Sequence, residues 1–310
     1  MDRTFIITGG NSGLGYQCAK NIALQSKNNT VIIASRNYEK SASAAKQLIL
    51  ETENANIHAL LLDLSSLQSV RNFAKEFTEQ IFPPLYGIVC NAISGGDTTK
   101  DGFDMTFGTG HLGHFLLVNL LLKNMQNGRI IFVSSDQHNP PRLISKLNYS
   151  DAIEYAFPDK KNHSTRYSFT KLCNIYCAYE LSEKLESKSE KKITVNAFNP
   201  GFMADTGLAK PKNRLEKVLK SIAPMIACLM GTRSSAKVSG KLLAEYMLDP
   251  KYEEITGKYF DRNKEVPSSK LSYNKENAIN LWKRSIELIQ KASTDDQRTQ
   301  RFSQRTQRDN

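Results

Sequence analysis

The chain reads as a doubly wound α/β domain built on a parallel sheet. Two observations carry that reading: short apolar runs alternate with helical segments up to residue 198, and a glycine-rich loop joins the first run to the first helix. The runs are residues 4–8, 31–35, 57–62, 87–90, 129–134 and 193–198. Each is short and mostly apolar, as strands are when helices cover both faces of their sheet. Segments 14–26, 38–53, 67–80, 112–125 and 167–187 place apolar residues three and four apart and stop near Asn, Gly, Pro or Lys clusters, which predicts helices. Two stretches break the alternation, the polar 136–166 and the long 201–232; insertions beside strand ends serve as site walls or lids. Segment 201–232 is read as a substrate-side lid. Its Lys-rich half, 210–220, precedes the apolar 222–230, so peripheral contact with a membrane surface is the alternative. After Lys291 the chain is rich in Ser, Thr, Gln and Arg, with Phe302 its lone large apolar residue, which predicts a disordered tail over 292–310 behind a single domain of 1–291.

Composition bounds the class. The 310 residues are 40% hydrophobic and 24% charged, enough apolar material for a full core and too polar for several membrane spans. No stretch reaches the roughly eighteen uninterrupted apolar residues of a spanning helix. The net charge is +11, to which the last nineteen residues contribute only +1, so the folded part is itself basic and suited to anionic ligands. The Arg-rich tail lacks aromatic interleaving, so a nucleic-acid partner is not expected. Five cysteines form no CxxC pair, as in a reducing compartment, and the N-terminus runs from Met1 directly into an apolar strand, so the expected location is cytoplasmic. Cys173 and Cys177, with His163 upstream, could be imagined as metal ligands; packing of the helix against the sheet is the better reading and no metal is expected. His111 and His114 sit in an apolar helix and read as satisfied interior histidines.

The loop between the first strand and helix contains Gly9, Asn11, Ser12, Gly13, Leu14 and Gly15. Backbone N–H groups at a helix N-terminus attract phosphate, and glycines let the chain approach it closely. With a strand before and a helix after, the loop has the context of a dinucleotide fingerprint. At the end of the second strand, where a carboxylate would hold the ribose hydroxyls of NAD, the chain has Arg36, a cation suited to a 2′-phosphate. With the Ser12 hydroxyl it predicts NADP(H). Asp63, followed by Leu64, could accept from the adenine amino group or cap the helix beginning near Ser66.

Tyr167 and Lys171 lie four apart on one helical face, where an ammonium favours a neighbouring phenolate, and a phenol so tuned can exchange a proton with a carbonyl oxygen. Ser135, ending a strand, would project from the carboxyl edge of the sheet towards the same oxygen.

Together, residues 8–15, Asp63, Asn91-Ala92, Val133-Ser134-Ser135, Tyr167-x-x-x-Lys171 and Pro200-Gly201 resemble the short-chain dehydrogenase/reductase family in order and separation. The runs 111–117 and 171–174 look like the branch that holds retinol dehydrogenase-like enzymes and light-dependent protochlorophyllide reductase. Residues 256–260 and 265–268 lean to the former. The resemblance implies a Rossmann fold and NADPH as cofactor. It implies Tyr167 as general acid, Lys171 holding the ribose and lowering the phenol pKa, and Ser135 positioning the carbonyl. Asn91 and Ala92 would line the adenosine side, and Thr206, after Pro200-Gly201, would approach the nicotinamide amide. The helices near Leu112 and Tyr167 form the dimer interface in many members of that family, while members of this branch can be monomeric, so the resemblance leaves homodimer and monomer both open.

The chain also departs from the family pattern. Gly110 stands where an Asn usually holds a relay water, Ile93 replaces the glycine of Asn-Ala-Gly, and Phe202 stands where the pigment reductases carry a cysteine, although Cys173 matches their other one. The expected function is hydride transfer between NADPH and a sizeable apolar aldehyde or ketone, or the reverse on an alcohol. Light-driven protochlorophyllide reduction is the alternative reaction, and a cofactor-sensing scaffold with little catalysis, suggested by Gly110 and Ile93, is the alternative of another class.

Overall fold

A computed structural model describes the backbone of residues 2–139, 147, 149, 151–159, 165–188, 191–203 and 233–306, with the side chains of 188, 233 and 295–306 left out. The predicted α/β alternation is present. Strands β1 (Arg3–Thr8), β2 (Asn29–Ser35), β3 (Ile57–Leu61), β4 (Leu85–Cys90), β5 (Asn127–Val133) and β6 (Lys192–Asn199) alternate with α1 (Gly13–Gln25), α2 (Tyr38–Thr52), α3 (Leu67–Glu79) and α7 (Arg166–Lys188). Between β4 and β5 lies a composite helix: α4 (Met105–Phe107), a π turn (Gly108–Leu112) and α5 (Gly113–Leu121). A short α6 (Ile153–Ala156) precedes α7, and beyond β6 come β7 (Phe202–Met203), β8 (Arg233–Ser234), α8 (Ala236–Leu248), β9 (Tyr259–Asp261), β10 (Lys264–Glu265) and α9 (Lys275–Thr306).

The sheet order is β10-β9-β6-β5-β4-β1-β2-β3, parallel except for the β10–β9 pair. The chain winds outwards from β1 through β2 to β3 and then from β4 to β6 on the other side, so the switch point lies between β1 and β4, where open α/β sheets bind ligands at the carboxyl ends of their strands. Alternate residues of one strand enter opposite cores: Ile6 and Ile32 join the cluster under α3, α5, α7 and α9, while Phe5, Ile7, Val31 and Ile33 join the cluster under α1, α2 and α8.

Two expectations are corrected here. The helix predicted from residue 112 begins at Met105, capped by Asp104, whose carboxylate accepts from the N–H groups of Thr106 and Phe107, both at 2.9 Å. Gly108, Gly110 and Gly113 lie inside this run and are places of close packing: a Cβ on Gly113 would lie 2.8 Å from the Leu64 carbonyl oxygen. The resulting helical run Met105–Asn124 has the length and apolarity of a membrane span, and its apolar residues are buried in the core. Secondly, order does not stop at residue 291. The apolar stripe Ala278, Leu281, Trp282, Leu288 and Ile289 of α9 continues to Ala292, Ser293 accepts a 2.8 Å hydrogen bond from Arg71, and the helix runs to Thr306, inside the stretch expected to be a disordered tail.

Of the expected lid, only its ends are described: β7 pairs in parallel with β8, Phe202 opposite Arg233. Residues 204–232, with Thr206, and His163 lie outside the described residues.

Candidate active site

The glycine loop closes on the end of β4. Gly9 has φ +66°, and a Cβ there would meet Asn91 Nδ2 at 3.0 Å and the Ala92 Cβ at 3.2 Å. A Cβ on Gly15 would fall 2.5 Å from the Gly9 carbonyl oxygen. Only glycine suits both positions. The Thr8 hydroxyl ties the two strand ends by accepting from the N–H groups of Asn91 (2.9 Å) and Ala92 (3.0 Å), and the Asn91 amide donates to the Thr8 carbonyl at 2.8 Å. Asn91 is therefore first a clasp between β1 and β4.

Ser12 occupies the N-cap of α1, yet its side chain makes no capping bond and no acidic residue lies in the first turn. The first turn of α1 thus supplies no side chain of its own to its free N–H groups, and the donor set of the loop suits a pyrophosphate. Arg36 follows directly on β2 with an exposed side chain.

Asp63 is not the cap of α3. Ser66 fills that place, accepting from Ser69 N at 3.2 Å. The Asp63 carboxylate instead accepts from Ser65 N and Oγ (3.0 and 2.7 Å) and pairs with Lys100 Nζ at 2.9 Å. Burial opposes its charge, but these bonds prevail and hold the carboxyl below the usual range. The Leu64 side chain goes into the core beside Gly113.

Beyond β5, Ser135 and the head of α7 meet. The Ser135 hydroxyl donates to Asp136 Oδ1 at 3.0 Å and accepts from Gln137 N at 3.2 Å. Burial pushes the Tyr167 phenol up to about 12, against a hydrogen bond with Ser135 that pulls it down. The Lys171 ammonium sits 5.5 Å from the Tyr167 ring centroid and donates to the Val133 carbonyl at 2.9 Å; burial pulls it down to about 8. Burial is the largest effect on the phenol, and no lowering by Lys171 is among the influences that set it in the structure.

The helix carrying these two residues is sewn to β5. The Asn174 amide donates to Val133 O at 3.0 Å beside Lys171, and Ser134 Oγ donates to Lys171 O at 2.8 Å. At the head of α7, Arg166 forms a 2.8 Å ion pair with the fully buried Asp104. Neither Asn174 nor Asp104 stood out as a site residue in the sequence. The spacing of Asn174 from Lys171 put them on one face, which was the available signal; the Asp104 pairing spans 62 residues and left none.

The interior histidines are satisfied. His114 Nε2 lies 2.8 Å from the Thr8 hydroxyl and its Nδ1 3.4 Å from the Gly110 carbonyl; His111 meets Ser285 Oγ at 2.9 Å and Cys177 Sγ at 3.8 Å. Burial holds both near 3, neutral at physiological pH. Cys173 and Cys177 are buried, and burial pushes both thiols up, as for inert packing residues. Pro200 and Gly201 follow β6, with Gly201 N donating to Asn199 Oδ1 at 3.1 Å.

Comparisons with known proteins agree with this geometry. The family described as "short chain dehydrogenase" matches residues 3–150. The chain is 33% identical over 302 residues to the WW domain-containing oxidoreductase of Danio rerio, covering 94% of this chain and 70% of that protein. To human retinol dehydrogenase 13 it is 33% identical over 297 residues, covering 93% and 84%. Among solved structures, an actinorhodin polyketide ketoreductase with NADPH superposes with a TM-score of 0.60 at 18% identity, over 88% of this chain and 98% of that one, a likeness of fold. With the nucleotide loop, the Ser135–Tyr167–Lys171 constellation and relatives matched over nearly its whole length, the chain is an oxidoreductase that belongs to the short-chain dehydrogenase/reductase family, on its retinol dehydrogenase-like branch.

Proposed function

We propose that the protein reduces a sizeable apolar aldehyde or ketone with NADPH, or oxidises the corresponding alcohol with NADP. The observation that carries this reading is the convergence of the Ser135 hydroxyl, the Tyr167 phenol and the Lys171 ammonium at the carboxyl end of β5. The name of the human relative, retinol dehydrogenase 13, supports an apolar alcohol or aldehyde as the substrate class.

Gly9, Asn11, Ser12, Gly13, Leu14 and Gly15 would hold the pyrophosphate, Arg36 and Ser12 the 2′-phosphate, and Asp63, Leu64, Asn91 and Ala92 the adenosine side. Lys171 would hold the ribose, and Pro200, Gly201 and Thr206 the carboxamide end. When bound, the nicotinamide supplies or accepts the hydride. Ser135 orients the carbonyl oxygen by hydrogen bonding. Tyr167, protonated at neutral pH as an ordinary phenol is and held so more firmly by burial, delivers the proton to that oxygen. Lys171 places positive charge beside the phenolate that remains, which lowers the barrier to forming it in the reaction.

The test is NADPH oxidation in the dark against retinal-like, steroid and aromatic carbonyls. Turnover that Tyr167→Phe lowers about a hundredfold or more is the expected result. Full turnover by that variant would overturn the mechanism, and reduction of protochlorophyllide in light alone would assign the pigment reaction instead.

A further inference from the structure

The mechanism needs Ser135 fixed relative to Tyr167, yet Ser135 is followed by a short 3₁₀ turn, Asp136–His138, that leads into the long insertion. His138, buried at the end of that turn, uses both ring nitrogens. Its Nδ1 is 2.6 Å from the Ser135 carbonyl oxygen and its Nε2 is 3.0 Å from the main-chain N of Ser269, 131 residues further on. The chemistry of the partners leaves one arrangement. A carbonyl can only accept, so Nδ1 carries the proton; a main-chain N–H can only donate, so Nε2 presents its lone pair.

The far partner is itself anchored. Ser269 begins the 3₁₀ turn Lys270–Tyr273, and its carbonyl accepts from Ser272 N at 3.0 Å and Ser272 Oγ at 2.7 Å. The neighbouring Ser268 Oγ lies 2.7 Å from the Tyr179 hydroxyl on α7, three turns beyond Tyr167. Tyr259 of β9 packs on the imidazole with ring centroids 5.0 Å apart. The bonds make a closed circuit: Ser135 to His138, across to Ser269 and Ser268, to Tyr179 on α7, along that helix to Lys171, and through Val133 and Ser134 back to Ser135. Among the described residues, His138 is a direct link from the serine side of the site to the C-terminal segment.

We infer that His138, bridging the Ser135 carbonyl and the Ser269 N–H, is the positioning residue that holds the catalytic serine in register with Tyr167. This rests on the proposed roles of Ser135 and Tyr167. It also has a pH consequence. A proton added to Nε2 would set two donors face to face and open the bridge. Among the described residues, the groups facing the ring are the Ser135 carbonyl and Asp136 on its own turn, which both favour that proton, the Tyr259 phenol from β9 and the Ser269 N–H from the 3₁₀ turn; burial outweighs the first two and keeps the imidazole below the ordinary histidine range.

Ser269 has φ −61°, which proline adopts, so Ser269→Pro removes the N–H donor with little demand on the φ of residue 269, whereas Ser269→Ala keeps it. The experiment compares kcat and cofactor KM for the full chain and for the variants His138→Ala, Ser269→Pro, Ser269→Ala and Tyr167→Phe, each checked for folding by its melting transition. The expected result is a kcat lowered about tenfold to a hundredfold in His138→Ala and Ser269→Pro, with cofactor KM within about twofold, and near-normal kinetics in Ser269→Ala. Wild-type kcat in both His138→Ala and Ser269→Pro, with Tyr167→Phe inactive, would overturn the inference and leave the reaction standing. An active Tyr167→Phe would overturn the reading of the site and this device with it.

A second readout is independent of turnover. The protein has five histidines, so ¹⁵N ring resonances of His138 can be assigned by their loss in His138→Ala. The Nδ1-protonated neutral tautomer, titrating below an ordinary histidine, is expected. The Nε2-protonated tautomer, or free titration near the usual value, would overturn the bridge even if every variant folded poorly.

Discussion

Gly110 and Ile93 share one space: a Cβ on Gly110 would lie 2.8 Å from Ile93 Cδ1 and 3.1 Å from its Cγ1. The two departures from the family pattern are therefore a single feature. An apolar side chain from the loop after β4 fills the volume that a residue on the π turn would otherwise claim, and either change alone would leave a clash or a hole. Gly110→Asn should cost about 1–3 kcal/mol by overpacking. Adding Ile93→Gly should recover part of this, the remainder reflecting Thr170 Cγ2 at 2.7 Å from the same Cβ. Denaturant unfolding of the four proteins in the cycle measures it, and strict additivity would refute the shared space.

Lys171 should be a residue whose removal stabilises the fold while damaging activity. Its ammonium is lowered from 10.5 to about 8 by burial, so the unfolded chain binds the proton more tightly. Stability from this group rises with pH between about 8 and 10.5 and is reduced below that window, by roughly 3 kcal/mol at pH 7. Lys171→Met should raise the melting temperature at pH 7 and lose that advantage by pH 10.5, with Val133 O still served by Asn174. A lower melting temperature at pH 7 would show that the hydrogen bond outweighs the burial of charge.

The direction of catalysis should respond to pH through Tyr167. With the phenol pushed up to about 12, the acid form that the proposed carbonyl reduction would use persists across the working range, so on that proposal the tyrosine imposes no alkaline fall below about pH 11. Alcohol oxidation needs the phenolate and should climb with pH over the same range. Initial rates in both directions from pH 6 to 10 test this; an oxidation rate independent of pH would contradict it.

Arg36→Ala should raise the KM for NADPH about tenfold or more and leave that for NADH nearly unchanged, because the guanidinium would pair with the 2′-phosphate alone. Its exposed side chain predicts an unchanged melting temperature. Equal effects on both cofactors would remove Arg36 from the selectivity site.

The Arg166–Asp104 pair holds the head of α7 to the start of α4, with Asp104 fully buried. Asp104→Ala leaves the buried Arg166 guanidinium its bond to the Asp159 carbonyl but takes away its counter-charge and a helix cap, so a loss of about 3–5 kcal/mol is expected. A calorimetric melt that moves by less than a degree would mean that the guanidinium finds another acceptor.

The local pattern was a good guide where structure is governed by near neighbours. The strands β1 to β6 were legible because each is an apolar run in a two-faced sheet, and the loop at residues 9–15 because glycine, strand and helix are adjacent in sequence. Local reading failed at Met105, where glycines that weaken an isolated helix proved to be points of close packing, and at Ala292, where an apolar contact of α9 lies beyond the composition change.

The sequence by itself determined the α/β alternation, the nucleotide loop and the Ser135, Tyr167 and Lys171 set, since each depends on residue type and short spacing. Tertiary structure alone decided how those groups are charged and held: the phenol rises because it is buried, Asp63 is bound by Lys100, and Ser135 is tied through His138 to a serine 131 residues beyond that histidine. Burial and long-range hydrogen bonds set protonation and position, and both arise from which distant segments meet, something no local pattern encodes.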